Sequence, residues 1–280
     1  SASSSAPSPK ASSAAPCIPK PTIESHGGGL DASKDMTFNV LILGGTSEGR
    51  RLSEQLAGRA PYSALLSYAG RTANLQRPDL LHRIGGFGGV DGLCHFLREA
   101  AIEAVVDATL PFAAQMSRNA VQACGLTEIP LLRLEPPAWQ SQPGDDWLVV
   151  PDMQSAAALL TDGGLLGDRS RRVFLSIGRL EAAAFRVAPQ HDYLIRSVDP
   201  FDPGLPRSRV VCARGPFQLE QELQLLAREQ IELLISKNAG TASTYPKLEA
   251  ARRLRVPVVM VARPALPPAE TVRTIEQAGV

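Results

Sequence analysis

Short apolar runs alternate with longer amphipathic segments along most of the chain from Phe38 onward. In the first half, the pattern predicts strands at FNVLIL, SALLSY, AVVDAT and PLLRL, with a short element around HRIGG. Helices are predicted from about Ser47, through LCHFLREA, and from about Phe112. Strands that alternate with helices in this way indicate an α/β fold with mainly parallel sheets.

The second half repeats the pattern, with strands predicted at RRVFLSI, DYLIRSV, RVVCA, ELLISK and PVVMVA. Between the halves, the stretch EPPAWQSQPGDDW is rich in Pro, Trp and Gly and is typical of a domain connector. We therefore expect two α/β domains with a cleft between them, an N-terminal domain over residues 37–140 and a C-terminal domain over residues 141–280.

Residues 1–36 differ in composition from the rest of the chain. The opening SASSSAPSPKASSAAP is rich in Ser, Ala and Pro and offers almost nothing to bury, so we expect this extension to be disordered. It also lacks the continuous apolar core of a signal peptide.

Composition narrows the class of protein. The 280 residues carry a net charge of +1, which argues against a nucleic-acid partner. No apolar run reaches the roughly 18 residues of a membrane helix, so we expect no membrane partner. Four cysteines without a C-x-x-C pair or a nearby histidine cluster predict scattered reduced thiols, no metal site and a cytoplasmic location.

The stretch LGGTSEGR joins the first strand to the first helix. Gly44, Thr46 and Gly49 occupy the places of the three glycines of a dinucleotide-binding turn, with threonine in the middle. Gly44 and Gly45 allow a sharp turn, while Thr46 and Ser47 offer hydroxyls at a helix start that suits an anion. The alternative is a strand-to-helix turn that binds nothing.

The end of the second strand bears on which dinucleotide would bind. An NAD-binding domain usually carries an acid there for the ribose 2′-hydroxyl, whereas this chain has Arg71 and Thr72. An arginine suits the 2′-phosphate of NADP, although a solvated surface arginine is the alternative. With the glycine turn, Arg71 favours NADPH.

Polar residues also follow the later strands, where ligands of open α/β sheets bind. Asp107 and Thr109 end the fourth strand, and Lys237 and Asn238 end a strand of the second half, followed by Thr241 and Ser243. Arg196 and Arg214 also follow strands, so several cations are expected to converge on a polyanionic substrate. Helix capping by Asp107 and the hydroxyls, and surface charge for the arginines, are the alternatives.

Taken together, these segments resemble the precorrin-6A reductase family of cobalamin (vitamin B12) biosynthesis. The resemblance is carried, in order, by ILGGTSEGR, AGRT, GGFGG, DATLPFA, LLRLEPPAW, SIGR, RSVDP, ARGPF, SKNAGTAST and KLEAARRLRVPVVMVARP, across roughly residues 38–264. It implies two Rossmann-like domains and reduction of a macrocycle double bond of precorrin-6A to give precorrin-6B, with NADPH as the cofactor.

The resemblance and the residue patterns together give a set of expected site residues. Cofactor binding is expected from Gly44, Gly45, Thr46, Ser47, Arg71, Thr72 and Thr109. Substrate binding is expected from Arg196, Arg214, Lys237, Asn238, Thr241 and Ser243, with Lys237 and Asp107 as candidate proton donors. Two positions depart from the family pattern, because Leu110 replaces a common histidine and Ala239 and Gly240 replace Ser-Gly.

Three matters stay open at this level. The first alternative substrate is cobalt-precorrin-6A with NADH, and a non-catalytic dinucleotide-binding regulatory protein is the second alternative. As the proton donor, a bound water or a substrate carboxylate is an equally good alternative to Lys237 and Asp107. We expect a monomer or homodimer with a tetrapyrrole substrate and, as further partners, other enzymes of the corrin pathway.

Overall fold

The computed structural model describes residues 37–70 and 80–278. The described chain forms parallel strands and helices with these bounds: β1 Phe38–Leu43, α1 Ser47–Ala57, β2 Tyr62–Tyr68, β3 His82–Ile84, α2 Gly89–Glu99, β4 Ala104–Asp107, α3 Ala114–Thr127, β5 Leu131–Leu134, β6 Trp147–Val150, α4 Met153–Ala158, β7 Arg172–Ser176, β8 Asp192–Ser197, β9 Ser208–Cys212, α5 Leu219–Arg228, β10 Leu233–Lys237, α6 Pro246–Leu254, β11 Val258–Val261 and β12 Glu270–Val272. The predicted extension 1–36 lies outside the described residues.

The strands form two six-stranded sheets of the same topology. The first has the order β3-β2-β1-β4-β5-β12 and the second β9-β8-β7-β10-β11-β6, and every neighbouring pair is parallel. Each order is the 3-2-1-4-5-6 arrangement of a Rossmann fold. The predicted α/β class with two Rossmann-like sheets is confirmed.

Helices cover both faces of each sheet. Alternate residues of a strand point to opposite faces, so each central strand contributes side chains to two apolar clusters. On β1, Leu41 and Leu43 pack into one apolar cluster, whereas Val40 and Ile42 pack into another. On β7, Val173 and Leu175 lie in one cluster and Phe174 lies in the cluster on the other side. This burial on both faces explains why the central strands are apolar throughout.

The sixth strands are exchanged between the two halves of the chain. β6 follows β5 in sequence but pairs with β11 of the second sheet, whereas β12 follows β11 but pairs with β5 of the first sheet. Two crossing segments result, which we name connector A (residues 135–146) and connector B (residues 262–269). The predicted domain of residues 141–280 is therefore corrected, because its last strand belongs to the N-terminal sheet.

The remaining element predictions agree with the structure except at three places. The helix expected from about Phe112 begins at Ala114. β6 lies at the edge of the predicted connector and was missed, as was the three-residue strand β12.

Candidate functional site

Both sheets reverse their strand order at one point, and the carboxyl ends of the strands there form the candidate site. In the first sheet the reversal lies between β1 and β4, and in the second between β7 and β10. Open α/β sheets bind ligands in the crevice at this point. Lys237, at the end of β10, has its Nζ 5.2 Å from the ring centroid of Phe112, which follows β4. The two reversal points therefore lie close together.

The glycine turn after β1 requires glycine for close packing. A Cβ on Gly44 would lie 2.7 Å from Leu66 Cδ1, and one on Gly49 would lie 3.0 Å from Ala108 Cβ. Gly45 has φ of +140°, a conformation that other residues rarely adopt. The turn thus brings its backbone against neighbouring strands, as the first and third glycines of a dinucleotide turn do.

Thr46 has a different role from the one predicted for its hydroxyl. Its Oγ1 accepts a hydrogen bond from the Gly49 amide at 3.0 Å and donates to the Ala108 carbonyl at 2.8 Å. It therefore N-caps α1 and ties the turn to the end of β4. Ser47 is exposed, and its hydroxyl donates to the Glu48 carboxylate at 3.0 Å.

The backbone of this turn can bind an anion. The first N–H groups of an α-helix have no acceptor within the helix, and α1 is 11 residues long, so its N-terminus carries partial positive charge. Thr46 satisfies only the amide of Gly49, and the exposed Gly45 leaves the turn open to a ligand. The turn therefore fits the pyrophosphate of a dinucleotide through main-chain donors.

Asp107 lies beneath the end of β4 and is 1% exposed. Its Oδ1 accepts hydrogen bonds from the Thr109 hydroxyl at 2.7 Å and the Thr109 amide at 3.2 Å, and Arg133 Nε lies 3.8 Å from Oδ2. Its other oxygen, Oδ2, has no hydrogen-bond partner among the described residues. The role of Asp107 as a proton donor stays a prediction, which its burial and its bonds to Thr109 do not favour.

The structure around the end of β2 contains one residue that the sequence patterns missed. The predicted Arg71 and Thr72 lie outside the described residues. The buried Arg83 guanidinium donates to Ser67 Oγ and the Gly85 carbonyl, both at 2.9 Å, and lies 3.9 Å from the Phe87 ring centroid. Burial lowers the pKa of Arg83. The sequence feature that could have identified Arg83 was its position inside the short HRI strand.

Arg214 comes from the second half but approaches the first sheet. Burial raises the pKa of Tyr68 at the end of β2, and the charges of Arg50 and Arg214 oppose that rise. Because Arg214 follows β9 of the second sheet, its charge acts on a residue of the first sheet. Its contact with the substrate stays a prediction.

Lys237 is the main charged group of the second sheet at this crevice. Its Nζ lies 2.8 Å from Glu181 Oε1, and the two side chains are partly exposed. Glu181 was missed, although it follows β7 as the glycine turn follows β1. A lysine paired with a carboxylate in a half-open site can bind an anion or transfer a proton.

The side chains after Lys237 are largely engaged within the protein. Asn238 Oδ1 accepts from the Trp139 amide at 2.7 Å, and its Nδ2 donates to the Trp139 carbonyl at 3.0 Å. The buried Thr241 Oγ1 lies 2.8 Å from Thr244 Oγ1. These bonds do not favour substrate contacts by the Asn238 and Thr241 side chains, and the contacts predicted for them and for the half-buried Ser243 stay predictions.

Arg196 does not face the crevice as predicted. Its guanidinium forms a two-pronged ion pair with Glu222 of α5, at 3.0 and 2.8 Å, and both side chains are buried. Phe174 and Phe217 lie against it, with ring centroids 4.8 and 4.1 Å away. The substrate-binding prediction is corrected, because Arg196 joins β8 to α5.

Lys247 is a third residue that the sequence patterns missed. It is buried in the first turn of α6, where its Nζ donates to the Thr244 carbonyl at 2.8 Å and lies 4.9 Å from the Trp139 ring centroid. Burial lowers the pKa of Lys247 to about 7, and nearby Arg196 and Lys237 add to this, whereas Glu222 opposes it.

Exposed apolar side chains mark the same edge of both sheets. Leu110 is 38% exposed after β4, and Leu180 is 61% exposed after β7. Ile84 ends β3 and Val198 follows β8, and both are also exposed. Apolar groups at a ligand-binding edge suit the flat face of a large ring.

Two searches of the described residues were negative. Within residues 37–70 and 80–278, no group of three or more His, Cys, Asp or Glu side chains is placed to hold a metal ion. No helix in the same ranges has the length and hydropathy needed to cross a bilayer.

Comparison with known proteins identifies the family. Residues 39–279 match the family model described as precorrin-6x reductase CbiJ/CobK. The chain belongs to the precorrin-6A reductase family. A precorrin-6A reductase from Sinorhizobium sp is 47% identical over 84% of this chain and 88% of its own length, and one from Rhodobacter capsulatus is 45% identical over 85% and 92%.

A solved structure agrees with this assignment. The structure described as CobK precorrin-6A reductase superposes with a TM-score of 0.81 at 44% identity, over 87% of this chain and 95% of that one. The predicted family resemblance and the predicted reduction of precorrin-6A in cobalamin biosynthesis are confirmed. The non-catalytic alternative is not supported, since the family is one of reductases.

The packing of the glycine turn predicts a strong effect for one methyl group. In Gly49→Ala, the new Cβ would press on Ala108, so we expect a loss of about 1–3 kcal/mol in the free energy of unfolding. Gly125→Ala is the matched control, because nothing lies within 4 Å of its added Cβ in α3 and it should gain about 0.5–1 kcal/mol. Urea unfolding of both variants measures this, and an equal effect at the two sites would contradict it.

The buried Lys247 predicts a pH dependence of stability. The pKa of Lys247 in the folded state is about 7, so below that pH its ammonium is charged in both the folded and the unfolded state. There the full cost of burying the charge is subtracted from the free energy of unfolding. As the pH rises toward the ordinary lysine pKa of about 10.4, the unfolded state binds more protons than the folded one, so stability increases. The melting temperature of Lys247→Met minus that of the wild type should therefore shrink between about pH 6 and about pH 9.5. A constant or growing difference in thermal melts would contradict the assignment.

Proposed function

We propose that this chain reduces metal-free precorrin-6A to precorrin-6B with NADPH as the hydride donor. The observation that carries the proposal is the meeting of two strand-order reversals, one with an anion-binding glycine turn and one with the Lys237–Glu181 pair. The Nζ of Lys237 lies 5.2 Å from the ring centroid of Phe112, which follows β4 at the reversal point of the first sheet. A cofactor held at the glycine turn and a ring held by the second sheet would therefore share one crevice.

The cofactor would be held mainly by backbone groups. Gly44, Gly45 and the start of α1 would take the pyrophosphate, and Thr46 would hold the turn in shape. Arg71 and Thr72, assigned from the sequence, would take the adenosine 2′-phosphate, and Thr109 would border the nicotinamide side. When bound, NADPH supplies the hydride.

The substrate would be held by charge at its rim and by apolar contact at its face. Precorrin-6A carries many carboxylate side chains, which suit Lys237, Arg214 and the hydroxyl of Ser243. The exposed Leu110 and Leu180 would pack against the macrocycle. At the position of Leu110, the family commonly has histidine. A leucine cannot transfer a proton, so proton transfer falls to another group.

Reduction of the ring requires one proton in addition to the hydride. Lys237 is the best placed described side chain, because its ammonium is partly exposed and its bond to Glu181 fixes its direction. Its second possible task is to hold a substrate carboxylate that delivers the proton itself. Asp107 is left out of both tasks because its carboxyl group is buried and bonded to Thr109.

The metal-free substrate is favoured over the cobalt-containing one by sequence similarity. The relatives described as precorrin-6A reductases are 43–47% identical to this chain. The cobalt-precorrin-6A reductase of Priestia megaterium is 29% identical. The cytoplasmic location, the monomeric or homodimeric state and contacts with other corrin-pathway enzymes stay predictions.

Cofactor titration tests the proposal first. We expect the purified protein to bind NADPH more tightly than NADH, and Arg71→Ala to weaken NADPH binding about tenfold, or roughly 1.4 kcal/mol, with little change for NADH. Arg59→Ala is a matched control, because Arg59 precedes β2 and therefore lies at the amino-terminal end of that strand, away from the candidate site. Fluorescence titration at fixed ionic strength measures all six dissociation constants, those of the three proteins for each of the two cofactors.

Equal affinity of the wild type for both cofactors would overturn the role of Arg71. Tighter binding of NADH, together with turnover of cobalt-precorrin-6A alone, would replace the proposed substrate by the cobalt-containing one.

A further inference from the structure

Arg263 stands where the two crossing connectors meet. It belongs to connector B, two residues after β11, and its Nη1 lies 2.6 Å from Glu135 Oε1 of connector A. Its Nε donates to the Asn238 carbonyl at 2.9 Å and its Nη2 to the Ala239 carbonyl at 3.2 Å. One guanidinium thus bonds both connectors and the segment that follows Lys237.

Gly240, which follows Ala239, lies between Arg263 of connector B and Pro137 of connector A. Gly240 has φ of +79°, and a Cβ there would lie 2.2 Å from Arg263 Nη2 and 2.3 Å from the Pro137 carbonyl oxygen. A side chain at position 240 therefore has no room between Arg263 and connector A. Gly240 is needed here both for its backbone conformation and for its lack of a side chain.

Asn238 adds a second link between this segment and connector A. Its side-chain amide bonds both the amide and the carbonyl of Trp139. The position of Lys237 is consequently set by the two connectors, and Arg263 is the residue that bonds to all three parts.

We infer that Arg263 is a positioning residue for the reduction: it holds the crossing connectors and the Lys237 segment in one geometry, without contacting cofactor or substrate. The inference rests on the proposed function, since it concerns the placement of Lys237. Three bonds in three directions need the planar fork of a guanidinium, which a lysine ammonium on a flexible stem does not reproduce. Small displacements of positioned groups are known to cost large factors in rate.

The test compares Arg263→Lys with Arg252→Lys. Arg252 also ties connector A to the second half, through Asp145 and Tyr245, and is similarly buried, but its bonds to Asp145 and Tyr245 do not involve residues 237–240. Arg263→Lys should lower kcat for precorrin-6A about tenfold or more while leaving the Kd for NADPH within about twofold. Arg252→Lys should lose similar thermal stability with kcat within about twofold of the wild type.

Amide hydrogen exchange supplies a readout that needs no substrate. Exchange in a peptide covering residues 238–244 should be faster in Arg263→Lys than in the wild type or Arg252→Lys. Unchanged exchange, or equal losses of kcat in the two variants, would overturn the positioning role. Absence of turnover by the wild type would count against the proposed function, and the exchange result would still decide this inference.

Discussion

Each sheet of this protein is completed by a strand from the other half of the chain, and this exchange constrains the rest of the structure. β6 completes the second sheet and β12 the first, so connectors A and B must cross. Within each sheet the parallel strands end on the same side, and the contact of Lys237 with Phe112 shows that the carboxyl ends of the two sheets lie close together. Neither half is complete without the other, so the site and the fold depend on the same pairing.

The crevice contains two kinds of polar group. Some are used within the protein: Thr46 caps α1, and Asp107 bonds Thr109. The groups proposed to bind ligands include the backbone donors of the glycine turn and the partly exposed Lys237. Outside the crevice, the buried ion pair of Arg196 with Glu222 costs desolvation that its two hydrogen bonds offset, so its net contribution to stability is small.

The sequence predicted the fold well where burial decides it and less well where long-range pairing does. Central strands such as β1 and β10 are apolar runs, and they were predicted within a residue or two. β6 and β12 are short edge strands whose partners lie far along the chain, so local patterns do not reveal them. The strand ends at Asp107 and Lys237 were also recognisable from residue type. Which polar groups satisfy one another was not, because the bond from Asn238 to Trp139 spans 99 residues.

The central claim is that the two sheets contribute separate parts of one reductase site, with the cofactor on the first and the reacting ring beside Lys237 on the second. The most direct test is single-turnover oxidation of bound NADPH by precorrin-6A in the Lys237→Met variant. The claim predicts a Kd for NADPH within about twofold of the wild-type value and a reduction rate at least about 100-fold lower. An unchanged reduction rate, or loss of NADPH binding itself, would contradict it.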